Sequence, residues 1–290
     1  MNQTAVHNVL NARARLGECP LWDDRRQLLY WVDIYNHRVH QFDPVSKQDR
    51  YWEIGDPVGA IALDQDGRIL MAAGDRIALL DTQKRTQSTL HRVSFDCPGT
   101  RFNDGKCDPQ GRFWVGSVSP ESDRAALYRY DADGTFRVME TGLTISNGLG
   151  WNLAGDTFYL TDSSKRKIFA YNFDGATGTI SDRRVLVDFG DEPIEPDGLT
   201  IDSLGHIWSA LWDGWCIVQL DATGKEIQRL PFPVQRPTCP TFGGKNLRDL
   251  YVTSASVGLS QTEIQKGFYA GDLFCIPIDN LSGMPTYRFG

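Results

Sequence analysis

The sequence predicts an all-β fold, a six-bladed β-propeller. Three observations predict it. A unit recurs six times at intervals of 40 to 49 residues. Within each unit the apolar residues alternate with period two, which is strand spacing rather than helix spacing. The chain is rich in glycine (28) and aromatic residues (11%), the composition of many short strands joined by tight turns.

Each copy begins with a short strand carrying a large residue at its centre. The six are Gln27 to Asp33, Gly67 to Ala72, Gly111 to Gly116, Gly155 to Thr161, Gly205 to Ala210 and Arg248 to Thr253. Their aligned residues are Tyr30, Leu70, Trp114, Tyr159, Trp208 and Tyr251, spaced 40, 44, 45, 49 and 43 apart. These residues are read as packing between blades, not as a cofactor box. A second alternating strand follows in each copy, as in Arg38 to Asp43, Ile77 to Asp81, Leu127 to Asp131, Ile168 to Asn172, Cys216 to Asp221 and Leu273 to Asp279. Glycine turns such as Asp131-Ala132-Asp133-Gly134 and Asp221-Ala222-Thr223-Gly224 punctuate the units.

A ring of blades must close. Ala5 to Leu10 reads as a lone strand before the first repeat, and Tyr287-Arg288-Phe289 follow the last. The expectation is that both ends of the chain share one blade, which removes an exposed sheet edge. No linker interrupts the repeats, so residues 1–290 are expected to form one domain.

Composition narrows the function. The net charge is -7, and the densest basic run, Lys165-Arg166-Lys167, is read as a solvated turn. Nucleic acid is therefore not an expected partner. No stretch approaches the roughly 20 apolar residues of a membrane helix, and Met1 to Leu10 lacks the charged and apolar regions of a signal peptide. A cytoplasmic monomer is expected. The cysteines (Cys19, Cys97, Cys107, Cys216, Cys239, Cys275) form no Cys-x-x-Cys pair, and the five histidines are scattered. Reduced, mostly buried thiols are expected, with no zinc–cysteine site and no Ser-His-Asp triad.

The innermost strand of each blade faces the axial channel. Counting back 11 or 12 residues from each aligned large residue reaches Glu18, Gly59, Asn103, Asn147, Asp197 and Cys239. Four of the six carry side-chain oxygens. Any single Asn-Gly or Asp-Gly is ordinary turn chemistry, but four polar residues in register are harder to explain so, and Glu18 is not a favoured turn residue. Two carboxylates confined in a channel repel each other, and a divalent cation relieves that repulsion. Oxygen donors favour Ca²⁺, Mg²⁺ or Mn²⁺, with Zn²⁺ and Fe²⁺ also compatible. Cys239 is read as a buried, inert thiol.

The chain resembles the gluconolactonase/regucalcin family, which includes bacterial aldonolactonases. The resemblance rests on Gly17-Glu18-Cys19-Pro20-Leu21-Trp22, Thr100 to Gly116, Ser146-Asn147-Gly148-Leu149, Pro196 to Asp202, Arg236-Pro237-Thr238, Phe242-Gly243-Gly244 and Leu250 to Ala255. It implies a six-bladed propeller holding one divalent ion. It places Glu18, Asn147 and Asp197 at metal-ligand positions and Arg101, Asn103 and, less directly, Glu121 at substrate-contacting positions. The chain departs from the family's Gly-Glu-Gly-Pro at Cys19, which puts a thiol beside a ligand.

The activity so implied is hydrolysis of a sugar lactone to its aldonic acid. The cation would polarise the carbonyl, Asp197 would act as general base, and Arg101 and Asn103 would hydrogen-bond the substrate. Asp104 and Lys106 are read as loop support. Other readings are an esterase or organophosphate hydrolase on the same scaffold, a calcium-binding protein, or a protein-binding scaffold. Two carboxylates are lean for a dedicated calcium site, and a scaffold has no need of four polar residues in the channel.

Overall fold

In the computed structural model, residues 5–266 and 269–290 are described. Met1 to Thr4, the first part of the stretch read as carrying no signal peptide, lie outside the described residues. The chain forms six four-stranded antiparallel sheets arranged as a six-bladed propeller. After β1 (His7–Leu10), blade 1 comprises β2 (Gly17–Asp23), β3 (Leu28–Asp33), β4 (Arg38–Asp43) and β5 (Gln48–Glu53). Blade 2 comprises β6 (Val58–Leu63), β7 (Ile69–Ala73), β8 (Arg76–Asp81) and β9 (Thr86–Arg92). Blade 3 comprises β10 (Arg101–Cys107), β11 (Phe113–Val118), β12 (Ala125–Tyr130) and β13 (Phe136–Leu143). Blade 4 comprises β14 (Ser146–Trp151), β15 (Thr157–Asp162), β16 (Lys167–Asp174) and β17 (Thr179–Asp188). Blade 5 comprises β18 (Glu195–Ile201), β19 (Ile207–Trp212), β20 (Cys216–Leu220) and β21 (Glu226–Pro231). Blade 6 contains β22 (Pro237–Gly243), β23 (Asp249–Ser254) and β24 (Leu273–Pro277), and β1 is its fourth strand. The only α-helix among the described residues is α1 (Gln261–Lys266), with one 3-10 turn at Ser163–Lys165, and no helix is long and apolar enough to cross a membrane.

The burial pattern follows the radial position of each strand. Inner strands such as β2, β6 and β14 are buried along their whole length, while the outermost strands β5, β9 and β17 are mostly exposed. The turn between the first two strands of a blade is built the same way in blades 2, 3 and 5. Asp64, Asp108 and Asp202 each accept backbone N–H groups within the turn, and Gly67, Gly111 and Gly205 take positive φ. Asp108 and Asp202 also accept the indole N–H of Trp114 (3.0 Å) and Trp208 (2.9 Å). The repeat's aspartate and its aromatic are thus one unit.

The aligned residues Tyr30, Leu70, Trp114, Tyr159, Trp208 and Tyr251 are all buried. Several join neighbouring blades: Trp114 packs on Trp151 and Phe158, Trp208 on Phe242, and Tyr251 stacks on Trp22 across the closure between blades 6 and 1. The ring is closed by β1, which pairs antiparallel with β24. Tyr287, Arg288 and Phe289 lie elsewhere. The tail crosses the turns at the C-terminal ends of the inner strands, where Gly283 bridges Asp202 and Phe289 bridges Asp64. Arg288 reaches Asp23 (2.6 Å) and Asp24 (3.2 Å) of blade 1. One end of the channel is therefore strapped, and the other end carries the site.

Candidate active site

All six inner strands break register near the counted position. The breaks lie between Glu18 and Leu21, Val58 and Ala60, Phe102 and Gly105, Asn147 and Leu149, Pro196 and Leu199, and Pro237 and Pro240. A bulge re-aims the side chain it carries. Close strand approach accompanies these breaks. A Cβ on Gly148 would lie 2.4 Å from the Asp197 carbonyl oxygen, and one on Gly59 would lie 2.5 Å from that of Phe102. Glycine is required there because the neighbouring backbone occupies the space.

Glu18, Asn103, Asn147 and Asp197 come together on one cavity of about 260 Å³, with Arg101 and Ser163 beside them. These four polar side chains are only 4–8% exposed. Leu16, Val118, Ile145 and Val257 supply apolar wall, while Tyr35, Glu195 and Trp212 complete the lining. Gly59 and Cys239, the two non-oxygen positions of the count, do not line it. Cys239 is buried against Gly198, and burial raises its thiol pKa. Glu121 stands apart from the cavity. It is exposed, and in its loop the Asp123 N–H bonds Thr144 Oγ1 and the Asp123 carboxylate pairs with Lys165.

Ser163 fixes the orientation of Asn147. The Ser163 hydroxyl donates to the Pro196 carbonyl (2.7 Å), so its oxygen accepts from Asn147 Nδ2 (3.1 Å). Asn147 Oδ1 is left buried with no hydrogen-bond partner, and Asp197 Oδ1 is in the same condition. Arg101 Nη1 donates to Asn103 Oδ1 and to the Phe102 carbonyl (both 2.9 Å), and Asn103 Nδ2 donates to the Ser146 carbonyl (3.0 Å). Asn103 thus braces Arg101 and ties blade 3 to blade 4, and Arg101 keeps its remaining N–H groups for the cavity.

Burial, then the neighbouring Asp197 and Asp104 charges, holds the Glu18 carboxyl well above the usual carboxylate range. The Asp197 carboxyl is raised for the same reasons, burial first and Asp104 second. Asp104 is itself raised by burial, with Lys106 opposing. It accepts the Gly105 N–H (2.7 Å), and Lys106 donates to the Leu199 carbonyl (2.9 Å). Burial likewise raises the Cys19 thiol, which sits against the Ile61 and Gly105 backbone and is not poised to ionise.

Among the described residues no group of three His, Cys, Asp or Glu side chains could hold a metal ion. The set assembled here has two carboxylates and one amide oxygen. Two orphaned buried oxygens beside a second disfavoured carboxylate fit a hard divalent cation held by Glu18, Asn147 and Asp197. A second cavity lies beneath the C-terminal tail, lined by Lys106, Trp151, Met284 and Tyr287 among others, and its lining contains no carboxylate.

The count back along the repeat reaches Asn103 and Asp197, and strand alternation from them also offers Arg101 and Glu195, each two residues earlier. Arg101 entered through the family resemblance, and Glu195 was missed. Tyr35 and Ser163 lie just beyond strands β3 and β15, and Trp212 at the end of β19, where the repeat gives no sign of a role.

Comparison with known proteins agrees with this architecture. The SMP-30/Gluconolactonase/LRE-like region matches residues 16–256. The pentonolactonase XacC of Haloferax volcanii is 35% identical, over 98% of this chain and 97% of that one. Regucalcin of Gallus gallus is 35% identical, over 100% and 99%. The crystal structure of a calcium-binding protein, regucalcin, from Agrobacterium tumefaciens superposes with a TM-score of 0.93 at 26% identity, covering 99% of this chain and 98% of that one. The chain belongs to the SMP-30/gluconolactonase/LRE-like family.

Proposed function

We propose that this protein hydrolyses a sugar lactone to its aldonic acid with the help of one divalent cation. The observation that carries the reading is the convergence of Glu18, Asn147 and Asp197 on one cavity, with Asn147 Oδ1 and Asp197 Oδ1 buried and unpartnered. The name of the Haloferax relative, a pentonolactonase, supports the substrate class.

A lactone is a cyclic ester. When bound, the cation would neutralise the two carboxylates and act as a Lewis acid toward the ester carbonyl. Asp197 takes a proton from the attacking water at its carboxylate. A carboxylate beside the attacking water is a suitable general base for that step. The water oxygen bonds the carbonyl carbon, the ring C–O bond breaks, and the proton returns to the departing ring oxygen. Arg101, stacked on Tyr35 at 5.5 Å and braced by Asn103, presents its remaining N–H groups to substrate oxygens. Glu121, a substrate contact implied by the family resemblance, is exposed and does not line the cavity.

The test is a pH-stat assay of chelator-treated protein on glucono-, xylono-, galactono- and arabinono-lactones, with each divalent metal restored in turn. Aryl esters and phosphotriesters serve as controls. Expected is lactone turnover that vanishes on chelation and returns with metal. Turnover indifferent to chelators, or confined to the esters or phosphotriesters, contradicts the proposal. The calcium-binding reading, favoured by the Agrobacterium structure's description, would show Ca²⁺ binding without turnover of any lactone.

A further inference from the structure

The carboxylates of the cavity differ in their surroundings. Glu18 and Asp197 are buried in its lining, whereas Glu195 is half-buried at the start of β18. Glu195 lines the same cavity as Asp197 and pairs directly across the blade with Trp212, which also lines it. Among the described residues Glu195 makes no side-chain hydrogen bond and no ion pair. The nearby cations are otherwise engaged. Arg236 is held by Asp213 (2.6 and 3.2 Å), and its guanidinium lies over the Trp212 ring at 4.5 Å. Arg166 donates to the Gly190 carbonyl (3.3 Å). The rim thus offers an unpaired acceptor beside an indole backed by a guanidinium. Opposite in chemical character stands Arg101, a donor stacked on Tyr35.

An ionised carboxylate only accepts hydrogen bonds and has two oxygens with which to do so. Its natural complement in a small neutral molecule is a set of hydroxyl groups. An aromatic side chain adds apolar area of the kind a sugar ring covers with its C–H face. From this placement we infer that Glu195 and Trp212 form a hydroxyl-recognising wall that selects polyhydroxylated lactones over bare ones, with Glu195 a specificity residue and not a cation ligand. This rests on the lactonase reading. Glu195 would bind hydroxyls remote from the ester, so its effect falls on substrate binding rather than on the chemical step.

The test compares two substrates of equal ring size: the aldonolactone that the wild-type metal-loaded protein hydrolyses best, and the corresponding valerolactone, which lacks hydroxyls. In Glu195→Ala, KM for the aldonolactone is expected to rise by about tenfold to a hundredfold, the loss that goes with a hydrogen bond to a charged group. Its kcat should stay within about twofold, and kcat/KM for the valerolactone should not change. Glu195→Gln keeps the shape and one acceptor oxygen, and should lose about threefold to tenfold on the aldonolactone; it serves if the alanine variant fails to fold. An electrostatic influence on Asp197 would change both substrates in parallel, and that result overturns the inference, as does unchanged selectivity in an active protein. A wild type inactive on every lactone overturns the lactonase reading and this inference with it.

Discussion

Asn147 shows how a single hydroxyl can decide what a site binds. Its amide could present either nitrogen or oxygen to the cavity, and Ser163 makes that choice by accepting from Nδ2 while donating to Pro196. Ser163→Ala should leave the fold intact and weaken divalent-metal binding by about 10- to 100-fold, the usual cost of losing a partner that orients a ligand. Calorimetric titration checks this, and an unchanged Kd would contradict it. Asp104 has the opposite relation to the site. Its charge raises the pKa of both Glu18 and Asp197, and burial raises its own. In metal-free protein these carboxyls hold protons more tightly folded than unfolded. Their contribution to stability is full below the unfolded values, about 4, and is lost as pH rises through the raised folded values. Chelated protein should therefore melt lower at pH 8 than at pH 5 as far as these groups decide it. Asp104→Asn, which can still accept the Gly105 N–H, should narrow the gap and raise the melting temperature at pH 8 by a few degrees. A lower melting temperature for the variant at pH 8 would contradict this.

At the scale of the strand, the inner strands carry both the repeat and its exceptions. The alternating pattern and the 11- or 12-residue count were enough to place Glu18, Asn103, Asn147 and Asp197 on the channel, because those features repeat with the blade. What converts channel-facing residues into a cluster is the register break in each inner strand, and a break is a matter of pairing between strands that one strand's sequence does not record. Ser163, Tyr35 and Trp212 were illegible for a related reason. They sit at strand ends, where each blade differs from the next, and Glu121, a substrate contact implied by resemblance, is exposed outside the cavity lining. Gly148 links the bulges to stability. In Gly148→Ala the new Cβ would meet the Asp197 carbonyl at 2.4 Å, and backbone cannot move aside as a side-chain tip can. A loss of about 1–3 kcal/mol is expected, together with weaker metal binding because Asp197 is displaced. Denaturant titration and calorimetry check the two effects, and a variant normal in both would show that the strands are not as closely apposed as described.

For the whole molecule, ring closure and the tail strap hold the blades in register around the axis. The first repeat and the last are joined by β1 pairing with β24 and by the Trp22–Tyr251 stack. The tail joins the opposite end of the channel through Arg288, which is buried against Asp23. Asp23 keeps its turn N–H bonds to Arg25 and Arg26, so Arg288→Ala should cost stability toward the lower end of the roughly 3–5 kcal/mol typical of a broken buried pair. Metal binding at the other end should be unaffected, and a variant as stable as wild type would contradict the strap. Three blades of this ring each send one oxygen-bearing side chain, Glu18, Asn147 and Asp197, to one cavity. The direct measurement is metal stoichiometry and affinity, by titration calorimetry on chelator-stripped protein, for wild type and for Glu18→Gln, Asn147→Ala and Asp197→Asn. One equivalent is expected for wild type, with binding weakened by at least about tenfold in every variant. Wild-type affinity in the Asp197→Asn protein, or a protein that takes up no divalent ion, would contradict the account.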